Sequence, residues 1–236
     1  MSVLPCTLHT LIGSTPGDAA VAEFLKGRGE LETIKAYSDV VYYNYTSSGL
    51  SLQYTPAPTY QPARTAAKRS DLDETLLCLS TIDVYTKSFD FLVSPVVLTY
   101  LAPPDPGHSA ADIDTLYPAT IELTASISGQ KLVSSLGEPD RKGGGESRAV
   151  GVWLEWTGLG LMAEFCMHGA NRWDKDNGAG STAVAVYSFF EPGKEKGACP
   201  THSRILRELG TAEVLIPPFI TSKPNNGPNL DFMDLN

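Results

Sequence analysis

Positive charge is scarce in this chain. Its 236 residues carry 18 Lys and Arg against 27 Asp and Glu, a formal net charge of -9. Nucleic acids and anionic membranes demand a concentrated basic surface, so neither is expected as a partner. The densest basic cluster, Arg64, Lys68 and Arg69, is small and lies in a Pro/Ala-rich stretch. Long apolar runs are missing as well. The longest, FLVSPVVLTYLAPP at 91–104, is broken by proline and falls short of the ~20 residues a helical crossing needs. No membrane insertion is expected. The opening MSVLPCTLHTLIGSTPGD lacks the basic stretch of a secretory signal, which predicts a cytoplasmic location. Cysteines are few, and Cys6, Cys78, Cys166 and Cys199 are expected to be reduced thiols. Alkylation of the denatured, unreduced chain should label all four; a disulfide found by mass spectrometry would contradict the cytoplasmic expectation.

The usual signatures of chemistry are also sparse. There is no Gly-x-Ser-x-Gly elbow. The loop KGGGES at 142–147 has its lysine ahead of the glycines and a strand pattern after it. A phosphate loop needs Gly-Lys-Ser/Thr opening a helix, so the stretch reads as a connector. Cys166/His168, Cys199/His202 and Cys6/His9 have spacings that suit a zinc site or a nucleophile–base pair, but none contains Cys-x-x-Cys. The acidic groups Asp71/Asp73/Glu74 and Asp112/Asp114 read as capping or solvated residues. NRWDKDNGAG at 171–180 lacks the terminal glutamate of a calcium loop. No catalytic residue, metal ligand or cofactor is assigned, and a Cys/His-dependent hydrolase stands as the second alternative function.

What the chain does have is self-similarity. VYYNYTSSGLSLQY at 41–54 aligns without a gap on VWLEWTGLGLMAEF at 152–165. Each block alternates, passes a small-residue turn ending in Gly49 or Gly160, and alternates again, as a hairpin does. Upstream, Thr15-Pro16-Gly17-Asp18 predicts a helix start ahead of the stripe Ala20, Val21, Phe24 and Leu25. Ser128 predicts the cap of a second helix bearing Leu132, Val133 and Leu136, ended by Gly137 and Pro139. Downstream, STIDVYTK at 80–87 aligns with TAVAVYSF at 182–189. The expected organisation is a first repeat at 1–101, a connector at 102–118, a second repeat at 119–190, and a C-terminal helix (201–209) and tail within 191–236. The fold class this predicts is α+β: two helix–hairpin–strand repeats forming an antiparallel sheet with helices on one face.

The helix ending in LGEP at 136–139, followed by the aromatic–glycine hairpin, resembles the tandem-repeat β-lactamase-inhibitor-like fold and small outer-membrane assembly lipoproteins. YYNYTSSGLSLQY is similar to segments of phagophore assembly factor proteins. The resemblance implies two α+β repeats sharing a curved sheet, and protein binding rather than catalysis.

Strand parity sorts the residues into two faces. Val41, Tyr43, Tyr45, Leu50, Leu52 and Tyr54 form an apolar set. Val152, Leu154, Trp156, Leu161, Ala163 and Phe165 repeat it, and Ile82, Val84, Val184 and Val186 extend it; this is the expected core. The opposite set, Tyr42, Asn44, Asp83, Tyr85, Trp153, Glu155, Met162, Glu164 and Tyr187, with Ser51 and Gln53, mixes aromatics with acids and amides. An aromatic and acidic open sheet face suits a neutral or basic protein partner, which makes a non-enzymatic binding protein the leading function. A carbohydrate-binding protein is the first alternative, because Trp and Tyr beside Asn, Gln and Glu also suit sugars.

Overall fold

The computed structural model describes residues 8–86, 96–101, 118–124, 126–144, 151–165, 183–196 and 213–215. The predicted C-terminal helix and tail, and the Cys6, Cys166, His168, Cys199 and His202 positions, lie outside them. The architecture is mostly β. Strands β1 (Thr33–Ala36), β2 (Val41–Tyr45), β3 (Leu50–Pro56), β4 (Leu77–Tyr85), β7 (Arg141–Gly143), β8 (Trp153–Trp156), β9 (Leu161–Phe165) and β10 (Val184–Phe190) form one antiparallel sheet. Its order is β1-β2-β3-β4-β10-β9-β8-β7. A second, three-stranded sheet is built from β5 (Val96–Leu101), β6 (Pro118–Leu123) and β11 (Glu213–Leu215), with β5 in the middle.

The expectation of an α+β fold with helices over one face is therefore corrected. Among the described residues the α-helices are α1 (Ala19–Leu25) and α2 (Gly129–Leu136), of seven and eight residues. Each is about 11 Å long, whereas eight paired strands span about 34 Å, so two such helices leave most of the sheet bare. Other segments share the covering. The second sheet contributes Leu98, Tyr100, Ile121 and Leu123 to the common core, and a 3-10 turn at Leu8–Leu11 buries both its leucines there. Tyr100 donates its hydroxyl hydrogen bond to the Ser135 carbonyl of α2, tying the second sheet to that helix. No helix among the described residues is long and apolar enough to cross a membrane.

Helix α1 begins at Ala19, later than the Thr15-Pro16 start predicted: the Asp18 carboxylate does accept from the Thr15 amide at 2.9 Å, but residues 15–18 close as a single turn and α-type bonding starts from the Asp18 carbonyl. Helix α2 is capped as its sequence predicts: Ser128 Oγ accepts from the Lys131 amide, and Gly137 ends it at φ 82°. Both hairpins turn through a short 3-10 segment closed by a left-handed glycine, Gly49 (φ 61°, ψ 30°) and Gly160 (φ 60°, ψ 38°). The strand pairs then start at Tyr45 opposite Leu50 and at Trp156 opposite Leu161.

The order of the large sheet reads the same from both edges. β1 to β4 occupy one half and β7 to β10 the other, related by a pseudo-twofold axis between β4 and β10. Leu50 faces Val84 where Leu161 faces Phe189, and Ser51 faces Asp83 where Met162 faces Ser188. Asp83 and Ser188 therefore hold equivalent places, and they are also each other's partner across β4 and β10. The axis passes between them.

One partly buried network stabilises the first half. Tyr43 donates from its hydroxyl to Glu74 at 2.7 Å, and Arg69 clamps the same carboxylate through Nε and Nη2 at 2.5 and 2.6 Å. Burial acts to raise the Glu74 pKa, but the hydrogen bonds from Arg69 and Tyr43 and the Arg69 charge outweigh it and hold it below the ordinary value. A depressed carboxylate contributes stability that is complete above the unfolded value of about 4.3 and is lost as pH falls through the folded value. Glu74→Gln should cost about 1–3 kcal/mol at neutral pH and lose less further stability on acidification than wild type. Acid-unfolding curves that fall in parallel for the two proteins would refute this.

Candidate functional site

The core face is apolar as expected for Val41, Tyr43, Tyr45, Leu50, Leu52, Tyr54, Ile82, Val84, Leu154, Trp156, Leu161, Ala163, Phe165 and Val184, all of which are buried. The opposite, outward face carries the predicted site residues, with one correction. Tyr187 stands on the core face, fully buried, its hydroxyl donating to the Thr124 carbonyl at 3.0 Å. Val186, expected in the core, takes the outward position and is half-buried.

The cause is a β-bulge. Along β9 and β10 the pairing runs Phe165 to Val184 and then Glu164 to Val186, so Ala185 is an extra residue. An odd insertion moves every following side chain to the other face. The first half has the same irregularity at the same place: Tyr54 pairs with Leu79 and Gln53 with Thr81, skipping Ser80. The true equivalents of Thr81, Ile82, Asp83, Val84 and Tyr85 are thus Val186, Tyr187, Ser188, Phe189 and Phe190. The repeated Val-Tyr of the sequence alignment is a coincidence of letters.

The two halves of the outward face differ in what covers them. In the second half, Glu155 is 2% exposed, Met162 8% and Phe190 1%. The chain leaving β10, residues 191–196, folds back as a strap over them. Lys196 donates from Nζ to Ser188 Oγ at 2.7 Å and meets Asp83 Oδ1 at 3.3 Å, while Ser188 Oγ donates to Asp83 at 2.5 Å. The Lys196 amide donates to Glu155 at 3.4 Å. Arg141, on edge strand β7, bridges Glu155 at 3.3 Å and Glu195 at 2.9 Å, and its guanidinium lies 5.8 Å from the Trp153 ring centre. The same ring lies against Gly143, where an added Cβ would stand 2.5 Å from it. The stretch read as a connector from 142 therefore begins as strand, and its glycine makes room for Trp153.

In the first half no segment among the described residues crosses the equivalent surface. A groove of about 720 Å³ runs over β1, β2 and β3, with Thr33, Lys35, Tyr37, Asp39, Tyr42, Asn44, Ser51 and Tyr85 among its lining residues. Tyr42, Asn44 and Tyr85 are half-buried, and Tyr37 is 45% exposed. Tyr37 and Tyr42 meet edge to face at 6.1 Å. Asp83, buried at the axis, closes the inner end beside Ser51. Burial raises the Tyr42 pKa, with further contributions from Asp83, Tyr37 and Asp39; burial followed by Asp83 and Glu164 pushes Tyr85 up to about 12. The groove is thus aromatic and neutral in its own lining charges, and the Asp83 carboxylate beyond its inner end is paired with Lys196.

Of the predicted residues, Tyr42, Asn44 and Tyr85 come together on this groove, with Asp83 at its end. Trp153, Glu155 and Met162 lie in the second half, under or beside the strap, and half-buried Glu164 flanks Trp153 on the neighbouring strand. Thr33, Lys35, Tyr37 and Asp39 are absent from the sequence-based set because β1 was not read as a strand. Its signal was present: TIKAY alternates before Ser38-Asp39, and Tyr37 donates its amide to the Val40 carbonyl at 2.8 Å, closing a two-residue hairpin.

Among the described residues, no three His, Cys, Asp or Glu side chains gather as a metal-ligand set. His9, the one member of the Cys/His pairs that is described, has its Nε2 3.1 Å from the Gly160 carbonyl and its ring edge-on to Phe189. No family model, curated protein or solved structure matches this chain. Function therefore rests on the site's own chemistry.

Proposed function

We propose that this protein is a non-enzymatic binding protein that engages a neutral or basic protein partner through the outward face of its large sheet, at the groove over β1 to β3. The observation that carries this reading is the contrast between equivalent surfaces. The second half buries Glu155, Met162 and Phe190 beneath its own strap, whereas in the first half Asn44 and Tyr85, at the places of Glu155 and Phe190, are half-buried and line a groove with Tyr42 and Tyr37. Half-exposed aromatics in a concave site are where binding energy concentrates. The net charge of -9 disfavours an acidic partner.

The test is affinity capture from native extract with three baits: wild type, Tyr42→Ala and Glu122→Ala, the last an exposed change on the second sheet. A protein retained by wild type and Glu122→Ala should be lost with Tyr42→Ala, with affinity weakened by about 2 kcal/mol or more and the melting temperature nearly unchanged. Identical retention by all three baits would rule out the groove as the binding face.

A further inference from the structure

The strap shows what the second half's outward surface holds, and the pseudo-twofold axis transfers that surface onto the groove. Matching the pairings across the two halves places Thr33 where Arg141 stands, Tyr42 at Trp153, Asn44 at Glu155, Ser51 at Met162 and Tyr85 at Phe190. In the second half the chain supplies its own cations: Arg141 over the Trp153 ring, and Lys196 at the Asp83–Ser188 pair on the axis. A backbone segment lies across them. In the first half the aromatic is retained as Tyr42 and Asp39 lines the groove, but threonine replaces the arginine, asparagine replaces the Glu155 that holds it, lysine replaces Gly143, and no described segment crosses the face. Lys35, opposite Tyr42 across the strands, is exposed.

We infer that the groove takes a peptide segment of a partner protein that lays a lysine or arginine side chain over Tyr42, as Arg141 lies over Trp153. This rests on the binding-face reading and adds the chemistry of the ligand. Three features favour a cation. Tyr42 lines the groove, and a tyrosine ring face carries the negative side of a quadrupole, to which a guanidinium or ammonium is drawn. Asp39 lines the same groove as this tyrosine, whose pKa is raised first by burial and then by Asp83, Tyr37 and Asp39. The equivalent ring in the same molecule has the Arg141 guanidinium 5.8 Å from its centre, held there by Glu155 and Glu195.

The experiment selects a random 12-residue peptide library displayed on phage against the full chain, then measures the selected peptides by fluorescence anisotropy at low and high salt. Selected peptides should share a Lys or Arg whose replacement by Gln weakens binding at least ten-fold, and added salt should weaken them further. Tyr42→Ser should weaken them to a similar degree. Thr33→Arg should do the same by supplying the cation from within, with an unchanged melting temperature, because Thr33 is exposed. Peptides that lack a cation yet are lost on Tyr42→Ser would overturn the cation assignment and leave the binding face standing; so would cationic peptides indifferent to Thr33→Arg. Peptides that bind Tyr42→Ser as well as wild type would overturn both. A photoreactive residue at position 42 that cross-links within the isolated chain to 217–236 would show that the occupant is the protein's own tail, and the partner peptide would fall.

Discussion

Truncating Trp156 to alanine should destabilise the protein by about 3–5 kcal/mol, the range for large aromatic residues removed from a core. Trp156 is 3% exposed at the end of β8, next to the hairpin turn. Its indole nitrogen donates to the Gly137 carbonyl at 2.9 Å, which fastens the end of α2 to the sheet. The variant loses the buried ring, leaves a cavity beside Leu161 and orphans that carbonyl. Because the contact joins helix to hairpin, the loss should appear in global unfolding rather than as local fraying. Chemical denaturation should show a lower midpoint with an unchanged slope. A midpoint equal to wild type would mean that Trp156 is not in the core.

The second large effect belongs to Gly160. At φ 60° an L-residue pays about 1–2 kcal/mol for the left-handed conformation. Here the space is also taken, since an added Cβ would stand 2.2 Å from the Phe190 carbonyl oxygen and 3.0 Å from the Pro192 nitrogen. Both contacts are backbone, so they yield only if the start of the strap moves. Overpacking of this kind adds about 1–3 kcal/mol, and Gly160→Ala should therefore cost about 2–5 kcal/mol in all. Gly158, in the same turn, has nothing within 4 Å of an added Cβ. Gly158→Ala is the matched control and should change stability little. Equal melting temperatures for the two variants would show that the turn relaxes freely and that the strap does not press on it. Because Gly160 seats the strap's start, its alanine variant should also expose Glu155 and Met162, seen as faster amide exchange along β8 and β9.

The two hairpins were legible in the sequence because their information is local. Alternation, a short turn and a glycine lie within 14 residues, and each strand meets its neighbour in the chain. The same is true of α2, whose cap, stripe and terminating glycine are consecutive. The edge strands β1 and β7 were missed for a related reason. They are four and three residues long, too short for alternation to stand out. The β1 omission hid Tyr37 and half of the groove wall.

Sequence alone determined that an apolar face and a mixed aromatic–polar face run through each hairpin, since alternation in a pleated strand permits no other sorting. Tertiary structure decided the rest. The bulge at Ala185 places Tyr187 in the core and Val186 outside, and it is defined only by the pairing of β10 with β9. The meeting of Asp83 and Ser188 on the axis joins residues 105 positions apart, which no periodicity announces. The burial of Glu155 and Met162 is made by a six-residue strap that pairs Lys196 with Asp83, and among the described residues nothing equivalent crosses the Tyr42 side. A long-range ion pair formed by a folded chain leaves no pattern in the sequence before the fold brings its partners together.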